Sequence, residues 1–429
     1  MPTTENSVQL AFAPTIPHYA SDLGIPWPLV IDLVARRLLL DGQSTYGSLY
    51  AELKIPVPIV ESVFRHFQKE QMAEIRGVSG SDFMIALTNA GRNFAADRQK
   101  NCHYAGPAPV SLNAYHRAVA AQAARPKVNR ERLSRAMADL VVEADILDKL
   151  GPALVSQKSL FLFGSTGNGK TSIAERLARV YDDAIVIPHA IEVDNQIISV
   201  YDPVVHERVE GDFPELDGRW VVCRRPEVMV GGELTPELLE LRLDGLTNIY
   251  SAPVQLKANN GVLVIDDFGR QRMSPAQLLN RWILPLDRKI DYLNLSYGLK
   301  FQVPFQLMIA FATNLEPTKL LDRAFLRRVP NKIYVHPVSD DSFFEIFHRE
   351  GEKRDLEVTR ELSDYLAEHC RAKAGRWLRA CYPRDICDIV ASIDTYEERP
   401  VVLTRDQVDR AIDIYFAESA ETEEGPEML

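Results

Sequence analysis

The chain is poor in the features that mark secreted, membrane-spanning or nucleic-acid-coating proteins. Its five cysteines, Cys102, Cys223, Cys370, Cys381 and Cys387, are scattered through 429 residues and form no C-x-x-C pair. Odd in number and scattered, they fit reduced thiols in a cytosol. His369 and Cys370 with Cys381 and Cys387 match no zinc-binding spacing. No apolar run approaches the roughly 18 residues needed to cross a bilayer. The opening residues, MPTTENSVQLAFAP, lack a cationic start followed by an apolar stretch, so no signal peptide is expected and a cytoplasmic location is. Net positive charge is missing too. At −11 the molecule as a whole is not built to coat nucleic acid, although local basic patches are allowed. There is no internal repeat. What remains is ordinary globular material, 46% hydrophobic and 25% charged, long enough for about two to four domains.

Against this background one stretch stands out, SLFLFGSTGNGKTS from Ser159 to Ser172. An apolar strand, Leu160–Phe163, runs into Gly164, Ser165, Thr166, Gly167, Asn168, Gly169, Lys170 and Thr171, and a helical pattern follows from Ser172 to Tyr181. This is the phosphate-loop spacing G-x-x-x-x-G-K-[ST]. The glycines let backbone N–H groups turn inward on phosphates, the Lys170 ammonium reaches the β- and γ-phosphates of ATP, and the Thr171 hydroxyl is a ligand for Mg²⁺. A second stretch, GVLVIDDFGR (Gly261 to Arg270), carries an apolar strand into two carboxylates. Asp266 is the expected metal carboxylate, and Asp267 stands where a water-activating group belongs. Arg270 and Arg272 follow; pairing with these carboxylates and facing a neighbouring subunit both remain open.

Five apolar strand candidates, Leu160–Phe163, Ala184–Pro188, Val262–Ile265, Leu307–Ala312 and Lys332–Val335, alternate with helical patterns. Near-continuous apolar runs between helices predict an α/β fold with a parallel sheet buried on both faces.

With these motifs in place, residues 130–415 resemble the AAA+ branch of the P-loop ATPases. The resemblance implies further roles. LMIAFATN, ending in Asn314, looks like the sensor-1 strand, whose polar end orients the attacking water. DRAFLRRV looks like the segment that offers an arginine to the next subunit, with Arg327 and Arg328 as the matching residues and Arg323 as a further option. YPRDICDI is similar to the start of a sensor-2 lid helix, which assigns Arg384 to the γ-phosphate. ADLVVEADI resembles the strip lining an adenine pocket, with Leu140, Val141 and Val142 as apolar contacts. The implied cofactors are ATP and Mg²⁺, and the implied assembly is a homo-oligomeric ring, often of six subunits.

Two departures from the family pattern matter. Asp267 stands where most members have Glu; one methylene less misplaces a water by about an ångström, enough to cost on the order of 10²-fold in rate. The stretch from Tyr181 to Asn260 is also far longer than one strand and one helix require. It contains RWVVCRRPEVMVGGELT, expected as an added β-hairpin or sheet, and such an insertion resembles the helix-2-insert, MoxR-like group, whose members remodel partner proteins. Arg219, Arg224, Arg225 and Lys257 with Trp220, Met229 and Tyr250 would make a protein-binding surface or, equally, an ordinary buried hairpin.

The expected domains are a loose arm at 1–22, a small domain at 23–100, a linker at 101–127, the nucleotide-binding core at 128–338 with an insert at about 190–260, a helical lid at 339–417 and an acidic tail at 418–429. In the small domain, helices at Trp27–Leu40, Thr45–Leu53 and Val57–Glu70 precede a hairpin of Met72–Arg76 and Phe83–Leu87. That order resembles a winged helix. Its third helix offsets Arg65, His66 and Lys69 with Glu61 and Glu70, so a protein client is favoured over DNA. The overall expectation is an ATP-hydrolysing, chaperone-like protein that remodels or moves a partner. The alternatives are a DNA-bound, ATP-switched regulator or loader, and a slow-turnover nucleotide-dependent scaffold.

Overall fold

A computed structural model describes residues 10–80, 82–123, 128–321 and 323–417; the side chains of Arg323 and Ala324 are also undescribed. The first part of the expected arm, the end of the linker and the acidic tail lie outside these residues. The chain divides into two compact units. The first comprises residues 1–126, 181–265 and 270–309, and the second residues 127–180, 266–269 and 310–429.

The first unit begins with helices Trp27–Asp41, Tyr46–Leu53 and Val57–Lys69. Val60, Val63, Phe64 and Phe67 recur at helical spacing and are all buried. Strands Ala73–Ser79 and Asp82–Leu87 pair antiparallel, and Gln43–Thr45 joins the second of them to make a three-stranded sheet. A mixed five-stranded sheet follows the order Arg242–Asp244, Ile249–Ser251, Gln196–Ser199, Ala190–Val193, Val110–Ser111.

Two expectations are corrected in this unit. Ala184–Pro188 is a strand, but it pairs antiparallel with Trp220–Arg224 in a separate two-stranded sheet. Val262–Ile265 instead pairs in parallel with Glu227–Val230. The stretch read as a hairpin therefore sends its two strands to different sheets. The break falls at Arg225 and Pro226: Pro226 has no N–H for a ladder. The Arg225 guanidinium is buried against Asp183, the Asn260 carbonyl and the Gln122 carbonyl. The basic points of this region are also not all on the surface. Arg219 and Arg225 are buried, as are Trp220 and Tyr250, while Arg224 and Met229 are exposed.

In the second unit, Leu160–Phe163 pairs in parallel with Ala310–Thr313 on one side and with Asn331–Tyr334 on the other. These three strands, in the order 308–313, 160–163, 331–334, belong to a five-stranded parallel sheet. Its strands are near-continuously apolar, and Phe161, Phe268 and Phe311 pack their rings together at 4.8–5.8 Å between centroids. Four helices, Asp340–Glu352, Arg360–Ala374, Tyr382–Tyr396 and Arg405–Tyr415, form an all-α segment with its own core, centred on Phe343, Leu366, Ile386 and Val408.

The helix after the glycine-rich loop is shorter than its sequence pattern predicts. It spans Lys170–Ala174, and a 3₁₀ turn covers Leu177–Val180. The cause is Arg176. Its backbone N–H donates to Ile173 O at 3.1 Å, and its side chain takes Ser172 O at 2.7 Å. That carbonyl is the one an α-helical Arg176 N–H would have used.

Candidate active site

A cavity of about 340 Å³ lies wholly within the second unit. Leu160–Phe163 delivers the loop to it, and three glycines make the turn: Gly164, Gly167 and Gly169 have φ of 144°, 80° and 82°, a region open chiefly to glycine. At Gly167 a side chain would also collide with Cys381 Sγ at 2.6 Å. The Cys381 N–H donates to Gly167 O at 3.0 Å, so the start of the third helix of the all-α segment sits against the loop.

Lys170 is buried, and its ammonium donates to Ser165 O at 2.8 Å. Burial lowers its pKa, an effect opposed by Asp266 and Asp267. The Thr171 hydroxyl donates to Asp266 Oδ1 at 2.8 Å. Asp267 is exposed and sits at φ 47°, a left-handed conformation that Asp tolerates better than most residues. Asn314 Nδ2 donates to Asp267 Oδ1 at 3.3 Å. Thr313 is held by a bond to Phe268 O at 2.7 Å, which locks the ends of the two strands together.

The cavity thus brings together Thr166, Gly167, Asn168, Gly169, Lys170, Thr171 and Ser172 with Asp266, Asp267 and Asn314, and adds Leu140, Val141, Val142 and Arg384. Gly164 and Ser165 are not among the residues that line it. Arg384 is well exposed and pairs with Asp385 at 3.2 Å. Arg327 and Arg328 do not line the cavity; Arg327 is exposed and Arg328 half-buried. Arg270 and Arg272 are exposed.

Sequence reasoning missed the far wall. Ile346, Arg349, Glu350 and Lys353 line it from the end of helix Asp340–Glu352. Their spacing is that of one helix face, a signal present in the sequence but equally expected of a face turned to a core. Burial pushes the Glu350 carboxyl up, but bonds from Lys353 and Arg354 outweigh it, leaving the group below its ordinary range.

A triphosphate and a divalent ion fit the residues present. Asn168 is buried, and neither its amide nitrogen nor its amide oxygen has a partner, so the loop carries unmet hydrogen-bonding capacity. Thr171 and Asp266 offer hard oxygen donors of the kind Mg²⁺ takes. Among the described residues no three His, Cys, Asp or Glu side chains converge on a metal position. A Mg²⁺ ion here would complete its shell with waters and phosphate oxygens.

Comparison with known proteins adds the following. A family model described as a domain of unknown function (DUF8689) matches residues 339–414, the all-α segment. Among curated proteins nothing matches. Of solved structures, a point mutant of RuvB from Thermotoga maritima is similar at 13% identity, covering 68% of this chain and 73% of its own, with a TM-score of 0.36. NtrX from Brucella abortus in complex with ATP is similar at 13% identity, covering 63% of this chain and 55% of its own, with a TM-score of 0.40. The ADP complex of the same protein is similar at 14% identity, covering 68% and 60%, with a TM-score of 0.40. Among the described residues no helix is long and apolar enough to cross a membrane.

Proposed function

We propose that this chain is a Mg²⁺-dependent ATPase of the AAA+ type that works as a homo-oligomer to remodel or move a partner protein. The observation that carries the catalytic reading is the Thr171–Asp266 bond beside the buried Lys170, at the end of a left-handed glycine loop. A hydroxyl and a carboxylate in contact, next to an ammonium and inward-turned N–H groups, suit a metal-bound phosphate chain. Backbone N–H groups of residues 166–171 would hold the phosphates, and Lys170 would bind the terminal pair. Mg²⁺, held through Thr171 and Asp266, would neutralise charge on the phosphates. Asp267 and Asn314, already bonded, would orient the attacking water; the short, left-handed Asp267 suits slow turnover. Val141 and Val142 with Leu140 would contact the base, and Arg384 would reach the γ-phosphate. Arg327 or Arg328, outside the cavity, would act on the neighbouring subunit's site.

The N-terminal segment supports a winged-helix-like module directed at protein. Helix, strand, helix, helix and hairpin follow in that order. Arg65 is paired with Glu61 at 3.4 Å, and the hairpin exposes Ile75, Val78 and Phe83. A DNA-reading surface would instead present unpaired cations. The insert supports membership of the helix-2-insert, MoxR-like group. A cytoplasmic location follows from the same reading.

The experiment is phosphate release from ATP over a protein-concentration series, with and without Mg²⁺. Turnover per subunit that rises with concentration, needs Mg²⁺ and disappears in Asp266→Ala supports the reading. A chain that binds ATP without turning it over would be a scaffold. Binding to duplex DNA that weakens steeply with salt would favour the regulator reading instead.

A further inference from the structure

The apolar strip that borders the cavity is held from two sides by guanidinium groups. Ala138, Asp139 and Leu140 lie in a tight turn, closed by the Leu140 N–H on Met137 O at 2.9 Å. From one side, Arg176 forks onto Asp139: Nε donates to both carboxylate oxygens at 3.0 Å and Nη2 to Oδ2 at 2.8 Å, and Arg179 adds a bond at 3.1 Å. The same Arg176 holds Ser172 O, one residue beyond Thr171. From the other side, Arg349 Nη1 donates to Ala138 O at 3.0 Å and to Leu140 O at 3.4 Å, while its Nε is fixed by Glu345 at 2.7 Å. Arg349 itself lines the cavity. The helix that carries it is tied a second time at its other end, where Ser339 donates from both N–H and hydroxyl to Glu143 Oε1 at 3.0 and 2.8 Å.

We infer that Arg349 is a positioning residue for the nucleotide base: it fixes Leu140 and its neighbours through their backbone carbonyls and couples base occupancy to the first helix of the all-α segment. The inference rests on the proposed nucleotide site. A carbonyl held by a charged donor is held firmly, and Leu140, one of the two residues so fixed, lines the cavity next to Val141 and Val142. The phosphate loop makes none of these bonds except through Arg176. Loss of Arg349 therefore loosens the base wall and leaves the phosphate cradle intact. Lys fits poorly as a substitute, because a point charge cannot serve Glu345 and two carbonyls in one plane as the guanidinium does.

The test compares binding of ATP and of inorganic tripolyphosphate to wild type, Arg349→Ala and Arg349→Lys, each checked for an unchanged melting temperature. Arg349→Ala is expected to weaken ATP about tenfold, the equivalent of one charge-assisted bond, and to leave tripolyphosphate affinity within about twofold; Arg349→Lys should recover only part of the loss. Equal losses for both ligands, or no loss for ATP, would overturn the assignment. If Arg349→Ala fails to fold, Glu345→Gln, which frees the guanidinium from its anchor, must show the same selective loss on a smaller scale, and its failure to do so overturns the assignment too. Failure of wild type to bind either ligand would instead refute the nucleotide site itself, so the two ideas fail separately.

Discussion

Two regions of the molecule bury polar groups, and they treat them in opposite ways. In the first unit, Arg219 is enclosed, yet its guanidinium is fully engaged: Nε and Nη2 bond Asp217, and Nη1 bonds Leu23 O at 2.8 Å and Pro109 O at 3.2 Å. Arg225 is similarly served by Asp183 and two carbonyls. In the second unit, Asn168 is equally enclosed and its side-chain amide bonds nothing, and the buried Lys170 ammonium donates to the Ser165 carbonyl with two carboxylates near by. Among the described residues, single atoms of Arg36, Arg98, Gln255, Trp282, Tyr382 and Gln407 are also unmatched, but Asn168 lacks partners on both its donor and its acceptor. Burial alone does not mark a candidate site. Buried capacity left unfilled, in a cavity, does.

The comparison is most easily broken at Arg219. Arg219→Ala leaves Asp217 buried and uncompensated, and should cost about 3–5 kcal/mol of stability. Urea unfolding of the variant checks this; a loss below about 1 kcal/mol would make the pair dispensable. Lys170→Ala should behave in the opposite way. Stability should change by less than about 1 kcal/mol, while ATP affinity falls at least about 100-fold. Calorimetric melting and nucleotide titration on the same preparation separate the two effects.

Two smaller effects sharpen the contrast within the site. Asp267→Asn keeps the bond to Asn314 within reach but removes the base, so turnover should fall at least about tenfold with ATP binding retained. Unchanged turnover would leave Asp267 a purely structural group. The smallest effect concerns Asp139, whose carboxyl is held down to about 2, first by the Arg176 fork and then by Arg179. A depressed carboxylate stabilises the fold above its ordinary pKa of 3.8, and that contribution fades as pH falls from there toward about 2. Because Asp139 is 48% exposed, the pair should be worth under about 1 kcal/mol. The stability gap between wild type and Asp139→Asn should hold from pH 7 to 5 and narrow at pH 3; a gap that widens on acidification would contradict the ion pair.

How far the sequence exposes each region follows from how local its interactions are. Gly164 through Thr171 turn by their own backbone, with positive φ at Gly164, Gly167 and Gly169, so the loop is legible as a string. Asp266 is legible because a buried strand ends there. The partner of Ala184–Pro188 is not, since an apolar run looks the same whether its neighbour is parallel or antiparallel. Arg219 reads as a surface cation because the carbonyls that bury it come from Leu23 and Pro109, far away along the chain. The short helix after the loop hinges on one arginine side chain competing with its own backbone, which no propensity records. Ile346 and Arg349 escape notice because a helix face does not say whether it meets a core or a cavity.

The glycine loop with Lys170, Thr171 and Asp266 is proposed as a nucleoside triphosphate site. Calorimetric titration of the full chain with ATP and Mg²⁺ tests it most directly, beside Lys170→Ala of matched melting temperature. Wild type should show saturable binding of one ATP per chain, lost or weakened at least about 100-fold in the variant. Identical titrations for the two proteins, or no heat of binding in wild type at millimolar ATP, would contradict it.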